Sequence, residues 1–256
     1  MSKAAANLRL DRLLANLGYG TRRQAQQIVR ARRVTLDGEA LVDPDQRMAI
    51  APDLSLRMRV NGEPLDPPPG LVLLLHKPCG VTCSHKEAGP LVYGLLPPRF
   101  SLREPPLSTI GRLDKNTSGL LLLTDDGELL HRIISPRNHV AKRYRVTLEQ
   151  DMRGDERDIF ASGALMLDGE EKPLLPVGLE MLSPTSAYVT LTEGRYHQVR
   201  RMFAAVGNYV AALHRDRVGA LELPDALAPG EFMAFSVAEI AATLFPERKL
   251  DATSLS

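Results

Sequence analysis

The sequence predicts an α+β protein with a small N-terminal domain and a larger, strand-rich second domain. Helical and strand patterns follow one another in irregular order, not in the regular alternation typical of a parallel sheet. A proline-rich stretch at residues 66–70 reads as a stiff linker. With 256 residues, the chain is long enough for one small and one large domain. We therefore expect domains at 1–65 and 71–246 and a loose tail at 247–256.

The small domain is predicted from its helical spacing and turn signals. Leucines recur every three or four positions over residues 8–17, which predicts a first helix. A Thr-x-x-Gln capping box opens a second helix over residues 21–31. Strands at 34–36 and 58–60 each run into an Asp-Gly or Asn-Gly pair, a strong hairpin signal.

The second domain is predicted from apolar runs and alternation. The runs at 71–75 and 120–124 read as buried strands, and the alternating segments at 144–148 and 187–191 as half-buried ones. Short helices are expected at 128–134 and 196–206.

Positive charge is segregated, although the net charge is only +1. Residues 1–33 hold eight basic side chains against one acid. The windows 132–145 and 195–217 are also strongly basic. This pattern indicates a polyanionic partner, while ordinary solvated faces remain the alternative.

Other classes of protein are disfavoured by composition. No apolar run reaches the roughly 18 residues of a membrane span. Cys79 and Cys83 are too few for a disulfide framework, so we expect a reduced, cytoplasmic protein with no membrane partner. His76, Cys79, Cys83 and His85 are zinc-ligand types, but they lack the usual paired spacing, and we expect no metal.

Asp114 is the first candidate for a reactive group. It lies in the turn-rich stretch 111–119, directly before the apolar run at 120–124. A carboxylate at the mouth of a buried strand can be tuned by desolvation and by a fixed cation. Alternatively, Asp114 stabilises a turn or caps a helix.

The N-terminal segment resembles an S4-type RNA-binding domain over residues 8–54. The resemblance rests on the arginine-rich second helix and on the Arg-Val-Thr-Leu-Asp-Gly segment at 33–38. It implies phosphate contacts by guanidinium groups, which bind phosphate in a bidentate fashion. The implied RNA-binding residues are Arg22, Arg23, Arg30, Arg32 and Arg33. A basic cap that only improves solubility is the alternative.

Four segments of the second domain resemble the motifs of pseudouridine synthases. They are Lys77-Pro78-Cys79-Gly80, the stretch 111–119, Lys142-Arg143-Tyr144 and the stretch 193–202. The resemblance implies that Asp114 is the catalytic carboxylate, that Tyr144 packs against the target base and that Arg200 pairs with Asp114. It implies RNA or substrate contacts for Arg112, Lys142, Arg143, Arg195 and Arg201, and a loop-shaping role for Lys77-Pro78.

An S4-type domain before this catalytic domain is the layout of the RsuA/RluB/E/F group, and the sequence resembles its small-subunit branch most. The resemblance implies a mixed, mainly antiparallel sheet and isomerisation of a uridine in 16S ribosomal RNA without a cofactor. We expect a monomer that acts on ribosomal RNA or on a small-subunit assembly intermediate.

Three alternatives stay open at this point. The first is a 23S enzyme of the same group, and the second is a non-catalytic assembly factor. The third is a hydrolase of ribosyl bonds, which would need a second acid such as Asp125 or Asp126. The family loop often carries an acid where this chain has Asn116.

Overall fold

The N-terminal part forms its own sheet and core in the computed structural model, which describes residues 7–51, 53–84 and 86–246. Its elements are β1 (Asn7–Arg9), α1 (Leu10–Asn16), α2 (Arg22–Arg30), β2 (Val34–Leu36), β3 (Glu39–Ala40), β4 (Arg47–Ala49), α3 (Leu54–Arg57), β5 (Met58–Val60) and β6 (Glu63–Pro64). Strands pair in the order β3-β2-β5-β6, and β1 pairs with β4. The leucines of α1 are fully buried against Ala25 and Val29 of α2.

The first two helices of this part, α1 and α2, differ in how well the sequence locates them. The capping box of Thr21 and Gln24 is present at the start of α2, as predicted. The first helix begins at Leu10, not Leu8, because Leu8 lies in β1 opposite Met48. Helical spacing of leucines does not distinguish one continuous helix from a short strand that leads directly into a helix.

The second part of the described chain is built on one large sheet. Its elements are β7 (Leu71–Lys77), β8 (Ser108–Ile110), β9 (Thr117–Thr124), α4 (Gly127–Ile134), β10 (Lys142–Leu148), α5 (Glu156–Ala161), β11 (Gly178–Ser183), β12 (Ser186–Leu191), α6 (Gln198–Ala205), β13 (Val210–Val218), β14 (Leu221–Glu222), β15 (Phe232–Ser236) and α7 (Val237–Leu244). The strand order is β11-β12-β10-β13-β9-β7-β15, with β14 on β13 and β8 on β9.

The sheet is mixed and mainly antiparallel, as expected. Among the described strands, β13 and β9 form the parallel pair. The sequence patterns did not predict β13, which lies between β10 and β9 near the middle of the sheet. Polar side chains interrupt its apolar pattern, which hides a buried strand from a search for alternation.

Strand register brings four residues of distant segments into one row across the sheet. Lys77 of β7 is opposite Gly119 of β9, which in turn is opposite Arg215 of β13. Arg215 is opposite Tyr144 of β10. This row lies directly behind the loop that carries Asp114.

The linker is packed against the second part of the chain. Arg103 donates to the carbonyl oxygen of Pro67 and forms an ion pair with Asp125, and both side chains are 1 % exposed. Asp125 also accepts hydrogen bonds from the amides of Gly70 and Leu71. The proline-rich segment is therefore fixed in place.

Every helix in the described residues is too short or too polar to cross a membrane. The tail predicted at 247–256 lies outside the described residues.

Candidate active site

A cleft of about 710 Å³ opens beside the Asp114 loop, and Tyr144 and Arg215 of the row described above line it. Asp114 and Tyr144 both line it, as do the predicted substrate contacts Arg112, Lys142 and Arg195. The cleft has the size of sites that bury a small organic ligand. Residues that are far apart in sequence therefore meet at one cavity.

The loop of residues 111–119, which carries Asp114, is held from below by Lys77, whose side chain is completely buried. Its ammonium group donates to the carbonyl oxygens of Pro78, Asp114, Lys115 and Thr117, at 2.9 to 3.3 Å. Burial lowers the pKa of Lys77, and the nearby thiols and the Asp114 carboxylate oppose this effect. The loop-shaping role that the sequence assigns to Lys77 has a direct physical basis in these bonds.

The next position in the row must be a glycine. Gly119 has a φ of +111°, and a Cβ atom there would lie 2.1 Å from the carbonyl oxygen of Arg215. Only a residue without a side chain allows the two strands to approach this closely.

Arg215 forms the floor beside Tyr144 and is 3 % exposed. Its Nε donates to the carbonyl oxygen of Leu120 at 2.8 Å, and its Nη1 lies 3.5 Å from the Tyr144 hydroxyl. The guanidinium carbon is 5.9 Å from the centre of the tyrosine ring. Tyr144 itself is 8 % exposed, so its ring is held in a fixed orientation inside the cleft.

The Asp114 carboxylate is partly open to the cleft, with a side-chain exposure of 34 %. The basic side chain beside it among the described residues is His197, whose Nε2 lies 3.5 Å from Oδ1. His197 precedes α6 and has a left-handed backbone, with φ of 49°. This conformation turns the imidazole toward the loop at the point where the helix begins.

The structure places Arg200 differently from the sequence interpretation, which paired it with Asp114. Its guanidinium donates to two main-chain carbonyl oxygens, those of Val210 at 2.9 Å and Asn116 at 3.0 Å. These bonds tie α6 to the end of the Asp114 loop and to the start of β13. Arg200 thus holds the loop, while His197 is the group beside the carboxylate.

Two of the arginines expected at the RNA hold a protein loop in the structure. Arg195 donates to Glu170 and Glu193 and to the carbonyl oxygens of Lys172 and Pro173. Arg201 donates to Glu170 and to the carbonyl oxygen of Asp168. Together they fix the segment 168–173 beside the cleft.

Arg143 is also engaged within the protein. It forms a two-pronged ion pair with Asp216, at 2.9 to 3.1 Å, and lies over the ring of Tyr188. Since its Nε and Nη2 already donate to Asp216, a phosphate would have to compete with a carboxylate for these two nitrogens.

The other basic residues remain available. Arg112 is exposed, with no ion pair among the described contacts. Lys142 donates to the carbonyl oxygen of Val140, and burial, followed by the charge of Arg215, lowers its pKa. Arg22 is 57 % exposed even though it pairs with Asp11. The exposed arginines of α2 and the following turn are without ion pairs in the described part of the chain: Arg23, Arg30, Arg32 and Arg33.

The second acid that a hydrolase would need is not supplied by the two candidates. Asp125 is buried in its ion pair with Arg103. Asp126 caps α4 by accepting from the amide of Leu129 at 2.7 Å. Both have structural roles away from the cleft.

The zinc-ligand types do not come together where the structure describes them. His85 lies outside the described residues, and no group of three potential ligands is found within them. His76 bonds the carbonyl oxygen of Leu227 through Nδ1.

Comparisons with known proteins agree with this geometry. Residues 71–205 match the family model described as RNA pseudouridylate synthase, and residues 8–47 match the S4 domain. The chain belongs to the RNA pseudouridylate synthase family. The matched region contains Lys77, Asp114, Tyr144 and His197, so most of the cleft described above is part of the family domain.

Members of the family from bacteria are similar to this chain over nearly their whole length. The ribosomal small subunit pseudouridine synthase A of Pasteurella multocida is 40% identical over 239 residues, covering 91% of this chain and 98% of that protein. The protein of the same name from Escherichia coli strain K12 is 40% identical over 242 residues, covering 93% and 100%. A crystal structure of a pseudouridylate synthase matches with a TM-score of 0.64 and 36% identity, covering 93% of this chain and 99% of that one.

Proposed function

We propose that this protein isomerises one uridine of 16S ribosomal RNA to pseudouridine. The observation that carries the proposal is the cleft in which a partly exposed carboxylate, Asp114, and a fixed aromatic ring, Tyr144, share one cavity. The choice of small-subunit RNA is supported by the names of relatives that are 40% identical over almost the full chain.

The reaction requires a carboxylate, an aromatic surface and the exclusion of water. The bond between the sugar and N1 of the base breaks, the uracil turns, and C5 joins the sugar, so nothing is oxidised and no group leaves the product. An ionised carboxylate can add covalently or stabilise a cationic sugar. Asp114 is the group of the cleft that fits this role, and the imidazole of His197 at 3.5 Å is placed to orient it.

Tyr144 is the surface on which the target base rests in this proposal. The base must leave its stack to reach the carboxylate, which costs a few kcal/mol in a paired region. The flat face of a buried tyrosine repays part of that cost by stacking. Arg215 keeps this ring in place from below, because its guanidinium is itself anchored to the Leu120 carbonyl.

The N-terminal arginines supply affinity without reading sequence. Four of them are exposed: Arg23 lies in the first turn of α2, and Arg30, Arg32 and Arg33 lie at its end and in the turn that follows. Their phosphate contacts would position the substrate and make binding fall steeply with salt. At the cleft, Arg112 and Lys142 supply further positive charge, whereas Arg143, Arg195 and Arg201 act within the protein.

We propose a monomer that acts on 16S RNA, either free or within a small-subunit assembly intermediate. One copy contains every residue of the proposed chemistry, because all of them line a single cleft. Modification assays on free RNA, on partial particles and on mature subunits separate these substrates.

Site-resolved pseudouridine mapping of ribosomal RNA tests the proposal. We expect a strain without this protein to lack pseudouridine at one position of 16S RNA and to regain it with the wild-type gene but not with Asp114→Asn. Loss of a 23S position instead would favour the large-subunit alternative. An unchanged map would favour a non-catalytic assembly factor and contradict the proposal.

A further inference from the structure

Tyr196 is an exposed aromatic ring at the rim of the cleft, and the proposed chemistry does not use it. It is 73% exposed and lines the same cavity as Asp114 and Tyr144. One face of the ring is stacked on His197, with centroids 3.9 Å apart and planes at 16°. Because one face is covered and the side chain is still mostly exposed, the opposite face is open to solvent.

Hydrogen bonds on both sides of Tyr196 hold the backbone that carries this ring. The amide of Arg195 donates to the side chain of Gln198 at 2.8 Å, and the carbonyl oxygen of Tyr196 accepts from Arg201 at 3.2 Å. His197 then takes the left-handed conformation that begins α6. An open aromatic face held this firmly loses little conformational entropy when it binds a flat ligand.

The two tyrosines of the cleft lie at different depths. Tyr144 is 8% exposed on the floor and Tyr196 is 73% exposed at the rim. A base that enters far enough to rest on Tyr144 leaves its neighbours in the strand near the rim. The rim is also basic, since Arg112 and Lys172 line the cleft and are exposed.

We propose that Tyr196 is a stacking platform for a nucleobase adjacent to the target uridine. This inference rests on the proposed function, since it takes an RNA substrate for granted. Stacking of a base on an aromatic side chain tolerates any sequence, because every base has a flat face. Tyr196 is therefore a positioning residue: it holds the flanking nucleotide while the target base is turned.

The platform has a kinetic signature. Since it acts on binding, we expect Tyr196→Ala to raise KM about 5- to 150-fold, the range that corresponds to one lost base stack. Tyr196→Trp keeps a stacking surface and should restore KM to within a few-fold of the wild type. A purely structural role would predict that the bulkier tryptophan is no better than alanine.

The matched control is Tyr209, which is 57% exposed and does not line the cleft. Tyr209→Ala should leave KM within about twofold of the wild type, because surface substitutions away from special features have small effects.

A direct test uses fluorescence, since the chain contains no tryptophan. The probe is the 16S fragment that carries the mapped uridine, titrated into the Tyr196→Trp and Tyr209→Trp variants. We expect the indole at the cleft to be quenched, and a fragment that is abasic at one neighbour of the target to abolish that quenching. Tyr209→Trp should respond to neither RNA.

Two results would overturn the inference: an unchanged KM for Tyr196→Ala, or no difference in quenching between intact and abasic fragments. Failure of the proposed function gives a different result, namely that wild-type protein forms no pseudouridine in 16S RNA. The two failures are therefore distinguishable.

Discussion

Replacing Lys77 by methionine should both destabilise the protein and displace the loop that carries Asp114. Lys77→Met keeps the length and the apolar stem of the side chain but removes the ammonium group. That group, with three N–H donors, is shared among the carbonyl oxygens of Pro78, Asp114, Lys115 and Thr117.

The expected loss of stability depends on which of these carbonyl oxygens keep another hydrogen-bond donor. The Asp114 oxygen still accepts from the amide of Thr117 at 3.0 Å, and the Lys115 oxygen from the amide of Gly80 at 2.8 Å. A buried acceptor left without a donor costs about 1–3 kcal/mol. Loss of the buried charge offsets part of this, because burial disfavours the ammonium form. We therefore expect unfolding free energy to fall by about 2–4 kcal/mol.

Urea unfolding measures the loss of stability, and pseudouridine formation at saturating RNA measures the effect on the loop. We expect kcat to fall at least about tenfold even where the variant is fully folded, because small displacements of a reactive group are costly. The matched control is Lys115→Met, an exposed lysine of the same loop. If Lys77→Met has the stability and kcat of that control, the loop is not held by this ammonium group.

Three further changes test the packing on which the site depends. Gly119→Ala puts a Cβ 2.1 Å from the Arg215 carbonyl, so the thermal midpoint should fall by several degrees; an unchanged midpoint would contradict the close strand approach. Asp11 is fully buried, and its hydrogen bonds from Gln26, Arg9 and Arg22 outweigh the effect of burial and lower its pKa from 3.8 to about 2. Ionised Asp11 should therefore contribute about 2 kcal/mol to the free energy of unfolding above about pH 4, and this contribution should be lost as pH falls toward 2. The difference in unfolding free energy between the wild type and Asp11→Asn, measured with urea, should therefore become smaller in acid. Arg103→Met leaves the buried Asp125 carboxylate without its partner and should cost about 3–5 kcal/mol, measured by urea unfolding against the exposed control Arg99→Met.

The fold was largely accessible from local sequence signals. The capping box at Thr21 and the buried run at 71–75 act through neighbouring residues, so a pattern of a few positions is enough to locate them. Ser236 and Glu239 form a second capping box at the start of α7, which is a local signal of the same kind.

The features that the sequence patterns did not predict depend on contacts between distant segments. Arg215 meets Tyr144 only because β13 and β10 are neighbours in the sheet, 71 positions apart along the chain. Motif order suggested Arg200 as the partner of Asp114, but the left-handed turn at His197 decides which side chain reaches the carboxylate. An arginine at an inward position of a strand is the signal that would have identified Arg215 as buried.

The arginines were the hardest residues to assign from sequence, because charge alone does not reveal a partner. Arg143, Arg195 and Arg201 lie in a basic stretch, yet each is bonded to carboxylates or carbonyl groups of the protein. The acids that bind these arginines can lie far from them in the sequence, as Glu170 does from Arg195 and Asp216 does from Arg143.

The most direct test of the central claim is release of tritium from C5 of uridine in 16S ribosomal RNA, because this hydrogen is lost when the base rejoins the sugar through C5. We expect wild-type protein and Asp151→Asn, an exposed acid outside the cleft, to release tritium at the same rate. Asp114→Asn should bind the RNA normally and release tritium roughly a thousandfold more slowly or not at all. Release at the wild-type rate by Asp114→Asn would contradict the assignment of Asp114 as the reactive carboxylate.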